Sequence, residues 1–257
     1  MSFATWFMRW FHKLGSPKFF FDCTPFLIRW LGLVSFLLLG TAFTWGLFFA
    51  PEDYQQGHSF KIIYVHVPSA SLAMSAYFSI AVLGVIGLVW RMKMAFMAAK
   101  SIIFCGTIFT FLALVTGAIW GKPTWGTWWS WDARLTSMLI LLFLYFGLML
   151  LHSVIPVRER ADRSCALLAV IGIVNLPIIK YSVVWWNTLH QPATFALTKK
   201  PDMPPEMWLP LLVSLLGFYC FFALCVTLFL RKEILFRESK ASWVKDYILN
   251  QKYTLRT

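Results

Sequence analysis

Two histidines and a run of tryptophans carry the chemistry legible in this chain. Residues 125–134 read Trp-Gly-Thr-Trp-Trp-Ser-Trp-Asp-Ala-Arg, four tryptophans within seven residues followed by one acid and one base. Such a run offers planar, polarizable surface suited to a large, flat, apolar ligand. If the stretch is helical, Trp125, Trp128, Trp129 and Asp132 stand at i, i+3, i+4 and i+7 and share one face, with Trp131 beside them. Trp120, Trp185, Trp186 and Trp208 add indole at a similar depth. The plainer reading is an aromatic belt, since tryptophan gathers at every membrane interface. Trp6, Trp10, Trp30, Trp90 and Trp243 are spread along the chain as a belt would be.

His66 occurs in Ile62-Ile-Tyr-Val-His-Val-Pro68, where Pro68 suits the first turn of a helix. His190 occurs in Trp185-Trp-Asn-Thr-Leu-His-Gln-Pro192. Either one alone reads as a hydrogen-bonded structural histidine. In two loops that flank the tryptophan run in sequence, they point instead to an iron porphyrin held by an imidazole on each side. His58 has polar neighbours and reads as solvated, while Asp132 either caps a helix starting near Ala133 or accepts from an indole N–H. Arg134 is the best-placed base for a ligand carboxylate, with Lys122 and Lys61 behind it.

The elements that must position these residues are membrane spans. Of the 257 residues, 59% are hydrophobic and 13% charged, against soluble averages of about 45–50% and 25%. A soluble enzyme, a disordered chain or a fibre would have no way to hide so much apolar surface from water. Stretches of about 20 apolar residues predict six helices, near 27–50, 67–90, 100–121, 134–156, 164–184 and 207–230. Pro177 is expected to kink the fifth, and Lys180 near its end either snorkels to the interface or takes part in the site. The net charge of +12 is placed by topology, because Lys and Arg collect on the inner side. Arg9 to Arg29, Arg91 to Lys100, Arg158 to Arg163 and the tail from Arg231 form the basic segments. Both termini are therefore expected in the cytoplasm and residues 121–134 outside, and no nucleic-acid partner is needed to explain the charge. Phe3, Trp6, Phe7, Trp10, Phe11 and Leu14, and again Ile234, Leu235, Trp243 and Ile248 in the tail from Arg231, suggest segments lying on the inner surface against lipid. Cys23, Cys105, Cys165, Cys220 and Cys225 form neither a disulfide framework nor a zinc site.

Residues 125–136 resemble the tryptophan-rich "WWD" signature of haem-handling membrane proteins, and the His66 and His190 segments are similar to that superfamily's two histidine loops. Within it, the length, the six spans and Asp53-Tyr-Gln-Gln-Gly57 resemble the CcmC family of cytochrome c maturation nearly end to end. The resemblance implies an all-α integral protein of the bacterial inner membrane that binds haem b at the periplasmic face. His66 and His190 would be axial iron ligands, and Trp125, Trp128, Trp129, Trp131, Asp132 and Arg134 the binding loop. Implied partners are the haem chaperone CcmE, the transporter subunits CcmA and CcmB, and the small subunit CcmD. No Ser-His-Asp set, phosphate loop or Cys-x-x-Cys-His argues for an enzyme. Two rivals stand beside this reading. An ABC transporter permease would give no reason for outer histidines, and a membrane b-type cytochrome would bury its ligands inside the spans.

Overall fold

Hydrocarbon offers backbone N–H and C=O groups no partners, so apolar runs of this length satisfy themselves as helices. The computed structural model describes Lys13, residues 15–191 and residues 203–254. Helix α1 (Pro17–Thr44) continues through a π-type turn at Trp45–Phe49. A 3-10 turn at His58–Ile62 leads into α2 (Ile63–Trp90), followed by α3 (Lys93–Trp125) and α4 (Ala133–Val154). The fifth span is split into α5 (Arg158–Gly172) and α6 (Asn175–Trp185), and α7 (Pro205–Arg237) and α8 (Ser242–Thr254) complete the order. Six of these stretches are long and apolar enough to cross a membrane, and the protein is a multi-pass, all-α membrane protein. Among the described residues the one strand-like pairing is an isolated bridge between Asp53 and Gly57.

Helix α2 lies at the centre, packed against α3, α5 and α7, while α1 leans on α7. Tyr77, Ile80, Leu141, Tyr145, Leu148, Ala169 and Ile179 form the main core. Small residues let these helices approach closely, which matters where lipid supplies no hydrophobic drive between helices. At the end of the bundle away from His66, charges close the packing. Arg237 donates to both Asp162 oxygens (2.5 and 2.9 Å) and to Glu233 (2.5 Å), which also holds Lys100 at 2.9 Å.

Two sequence expectations change here. Pro68 does not open its helix, because α2 begins five residues earlier. The proline cannot donate to the Tyr64 carbonyl, and the Ser214 hydroxyl on α7 donates to it instead at 2.5 Å. The basic tail is not a surface segment from Arg231 onward. Helix α7 runs through Ile234, which is fully buried, to Arg237, and only α8 lies apart, its Trp243 and Tyr247 rings against Phe21. The N-terminal aromatic stretch up to Phe11 falls outside the described residues. Pro177 acts as expected: it leaves the Ile173 carbonyl without its helical donor, the Leu176 N–H takes that carbonyl at 3.0 Å, and the span breaks at Ile173–Val174.

Candidate functional site

The tryptophan run does not form one helical face. Helix α3 stops at Trp125, where Gly126 takes the left-handed conformation (φ +78°) that glycine adopts without strain. Residues 126–132 then cross to α4 as an irregular loop. The four indoles consequently share no common plane: Trp129 and Trp131 meet edge to face at 5.5 Å, and Trp125 and Trp129 reach one cavity. Trp125 turns its ring toward His190, with centroids 6.1 Å apart, and Trp129 lines a cavity of about 510 Å³. Trp128 and Trp131 are 57% and 78% exposed and face outward. Trp120 joins the cavity wall, its ring 5.6 Å from that of His66 and its N–H given to Gln56 at 2.7 Å. The Asp53–Gly57 segment thus has a structural task. Asp53 accepts from the Gln55 and Gln56 amides, and the turn it makes presents Gln56 to Trp120.

The loop returning from α6 is tied to the same corner. Asp132 caps α4, one oxygen accepting from the Arg134 and Leu135 amides at 3.0 and 2.8 Å. Its other oxygen accepts from the Thr188 hydroxyl at 2.6 Å, and Thr188 in turn accepts from the His190 amide at 3.1 Å. Of the two roles open to Asp132, capping is the one observed, and the bond to Thr188 fastens the His190 loop to the tryptophan loop.

His66 and His190 meet across the cavity mouth with ring centroids 6.1 Å apart and planes 35° from parallel. Their tautomers follow from their neighbours. The Thr116 hydroxyl donates to the Leu112 carbonyl at 2.7 Å, so its oxygen accepts from His66 Nδ1–H at 3.0 Å. Gln191 offers only a carbonyl oxygen to His190 Nδ1, at 2.8 Å, so Nδ1 carries the proton there as well. Each ring therefore keeps its Nε2 lone pair free. Burial, reinforced by the charge of Arg134, pulls His190 down to about 4, so the imidazole is neutral and able to ligate at neutral pH. Gly117 makes room for His66, since a Cβ there would sit 3.0 Å from the ring's Cε1.

Two buried donors lack partners among the described residues: Trp129 Nε1 and Arg134 Nη1. An unsatisfied buried donor is costly, and both residues line the cavity. Lys61 and Lys122 are occupied elsewhere, on the Leu47 and Gly126 carbonyls, whereas Lys180 lines the cavity. His58 is exposed and pairs with Glu52, in keeping with a solvated residue. Sequence reasoning missed Thr116, Gln56 and Thr188. A lone threonine in an apolar helix carries no signal of a partner fifty positions away.

Six spans, with two anchored imidazoles and several indoles lining one cavity, define the class as a multi-pass helical membrane protein with a ligand-sized cavity. The family described as CcmC, heme exporter protein C, matches residues 10–245. The chain is 47% identical over 240 residues to heme exporter protein C of Escherichia coli K12, covering 93% of this chain and 97% of that one. It is 44% identical over 237 residues to its counterpart in Haemophilus influenzae, covering 92% and 96%. The counterpart in Rhodobacter capsulatus is 37% identical over 230 residues, covering 89% and 95%. This chain belongs to the CcmC family.

Proposed function

We propose that this protein gathers haem b at the periplasmic face of the bacterial inner membrane and presents it to the haem chaperone CcmE during c-type cytochrome maturation. The observation that carries the reading is the histidine pair. His66 and His190 both line the cavity, their ring centroids 6.1 Å apart, and would hold the iron of the cargo between them. Both Nδ1 atoms are anchored, as in ligating histidines, and neither Nε2 has a hydrogen-bond partner among the described residues. The family name and the names of the relatives above point to the same cargo.

In this reading His66 and His190 hold the iron, while Trp120, Trp125 and Trp129 supply apolar walls for the macrocycle. Arg134 and the Trp129 N–H take a propionate. The protein binds, orients and releases; it transforms nothing, and it is not an enzyme. Exposed Trp128 and Trp131 give the chaperone apolar anchors beside the cargo. CcmA and CcmB would supply the ATP cycle that loosens one histidine loop, and CcmD would complete the assembly. The cytoplasmic placement of both termini rests on the basic residues at the opposite end of the bundle.

Absorption spectroscopy of the purified full chain, with pyridine extraction to identify the haem, tests the ligand set. His66→Ala and His190→Ala should each shift the spectrum and lower haem retention, the double variant more so, while His58→Ala should match the wild type. Spectra unchanged in both single variants would place the iron elsewhere.

A further inference from the structure

The cavity is deeper than the histidine pair requires. Below His66 its wall continues along Val67, Ala70, Ser71 and Met74, one stripe of α2. Met74 lies eight residues from His66, a depth of about 12 Å. Ser71 turns toward α7, its hydroxyl 2.9 Å from that of Tyr219, and the packing changes at the fifth span. Its first half, α5, is fastened to α2: Ala166 packs on Gly84, and the Tyr77 hydroxyl donates to the Leu168 carbonyl at 3.3 Å.

Beyond the break at Ile173–Val174 the helix follows α4 instead. Asn175 Nδ2 donates to the Ser137 carbonyl at 2.9 Å, Ile179 is buried in the core, and Thr188 reaches Asp132. Among the described residues α6 has no substantial packing with α2. The fifth span therefore leaves α2 at the level of Tyr77, and above it the cavity wall passes from α2 to Met138 of α4 and to Ile179 and Lys180 of α6. Lys180 stands exposed on that wall, the one lysine lining the cavity among the described residues. It sits within a membrane-spanning helix, where a cation is costly unless it has work or reaches the interface.

We propose that the cargo enters and leaves sideways, from the outer leaflet of the membrane through the gap between α2 and α6. Lys180 receives its carboxylates at the threshold, before Arg134 and Trp129 hold them inside. This rests on the reading of haem as the cargo. A flat apolar body with carboxylates along one edge partitions into a leaflet with those carboxylates at the interface. That is the orientation in which the gap, with Lys180 at its rim, would meet it.

The test follows the rate of haem uptake by the full chain in nanodiscs, measured as growth of the Soret band. Haemin is supplied either dissolved in phosphatidylcholine vesicles or bound to albumin in water. The wild type should load from vesicles faster than from albumin. Ala70→Trp, which narrows the gap, should slow uptake from vesicles and release to apomyoglobin alike, each by about tenfold. Lys180→Glu should slow uptake from vesicles through charge repulsion, and Lys180→Arg should restore it. Either blocking variant loading from vesicles at the wild-type rate overturns the route, as does a wild type that loads only from albumin. If Ala70→Trp fails to fold, Lys180→Glu decides alone. A wild type that binds no haem, or binds it without His66 and His190, would instead remove the reading on which the route rests.

Discussion

At the scale of single residues, the histidines proposed as ligands were legible and the groups that position them were not. Histidine and tryptophan announce themselves by rarity and clustering, so His66, His190, Trp125 and Trp129 were visible in the sequence. Thr116 was not, because a threonine in an apolar helix ordinarily bonds back to its own turn, as this one also does. Its second bond fixes the His66 tautomer. Thr116→Val should weaken haem binding by about tenfold while both histidines still ligate, and Thr116→Ser should restore it, read as haem retention during dilution. Trp129 departs from the other indoles. Trp125→Phe should keep most of the binding, since a planar face suffices there, whereas Trp129→Phe also deletes an N–H that has no partner among the described residues. Binding of haem dimethyl ester should be equal in Trp129→Phe and the wild type, because the carboxylate is then absent from both. His190 adds a pH signature. An ordinary histidine is largely protonated by pH 5, but a group lowered to about 4 stays neutral there, so haem retention should hold from pH 7 to 5 and fall as the pH approaches 4.

At the scale of elements, hydropathy revealed how many spans there are but not how far their helices extend. Apolar windows mark the hydrocarbon, whereas helices end where capping and packing end, and α7 continues because Ile234 is buried and Arg237 is paired. The helical reading of the tryptophan run failed for a reason present in the sequence: Gly126 is a helix-stopping residue at the position where α3 ends. Asp132 is the junction between elements. Asp132→Ala removes the cap of α4, a loss of about 1 kcal/mol, and also frees Thr188 and with it the His190 loop. Haem retention should therefore fall by more than the cap alone explains. Thr188→Val, which leaves the cap intact, should reproduce the part of the loss that belongs to the loop.

At the scale of the whole molecule, the site and the charge lock occupy opposite ends. A single cysteine at Thr127 should be labelled by impermeant reagents from the periplasm, and labelling from the cytoplasm alone would invert the topology. Arg237→Ala leaves Asp162 buried without its partner, a loss on the order of 3 kcal/mol, which should appear as a lower melting temperature in detergent. The two ends also share one solid member. Helix α7 has 33 residues, a rod of about 50 Å, pinned beside His66 through Ser214 and Met207 to Tyr64 and at the far end through Glu233 and Arg237. It behaves as a lever with its bearings at both membrane faces. A tilt imposed on the inner bearing would arrive as a displacement two residues from His66, without any intervening loop to absorb the stroke.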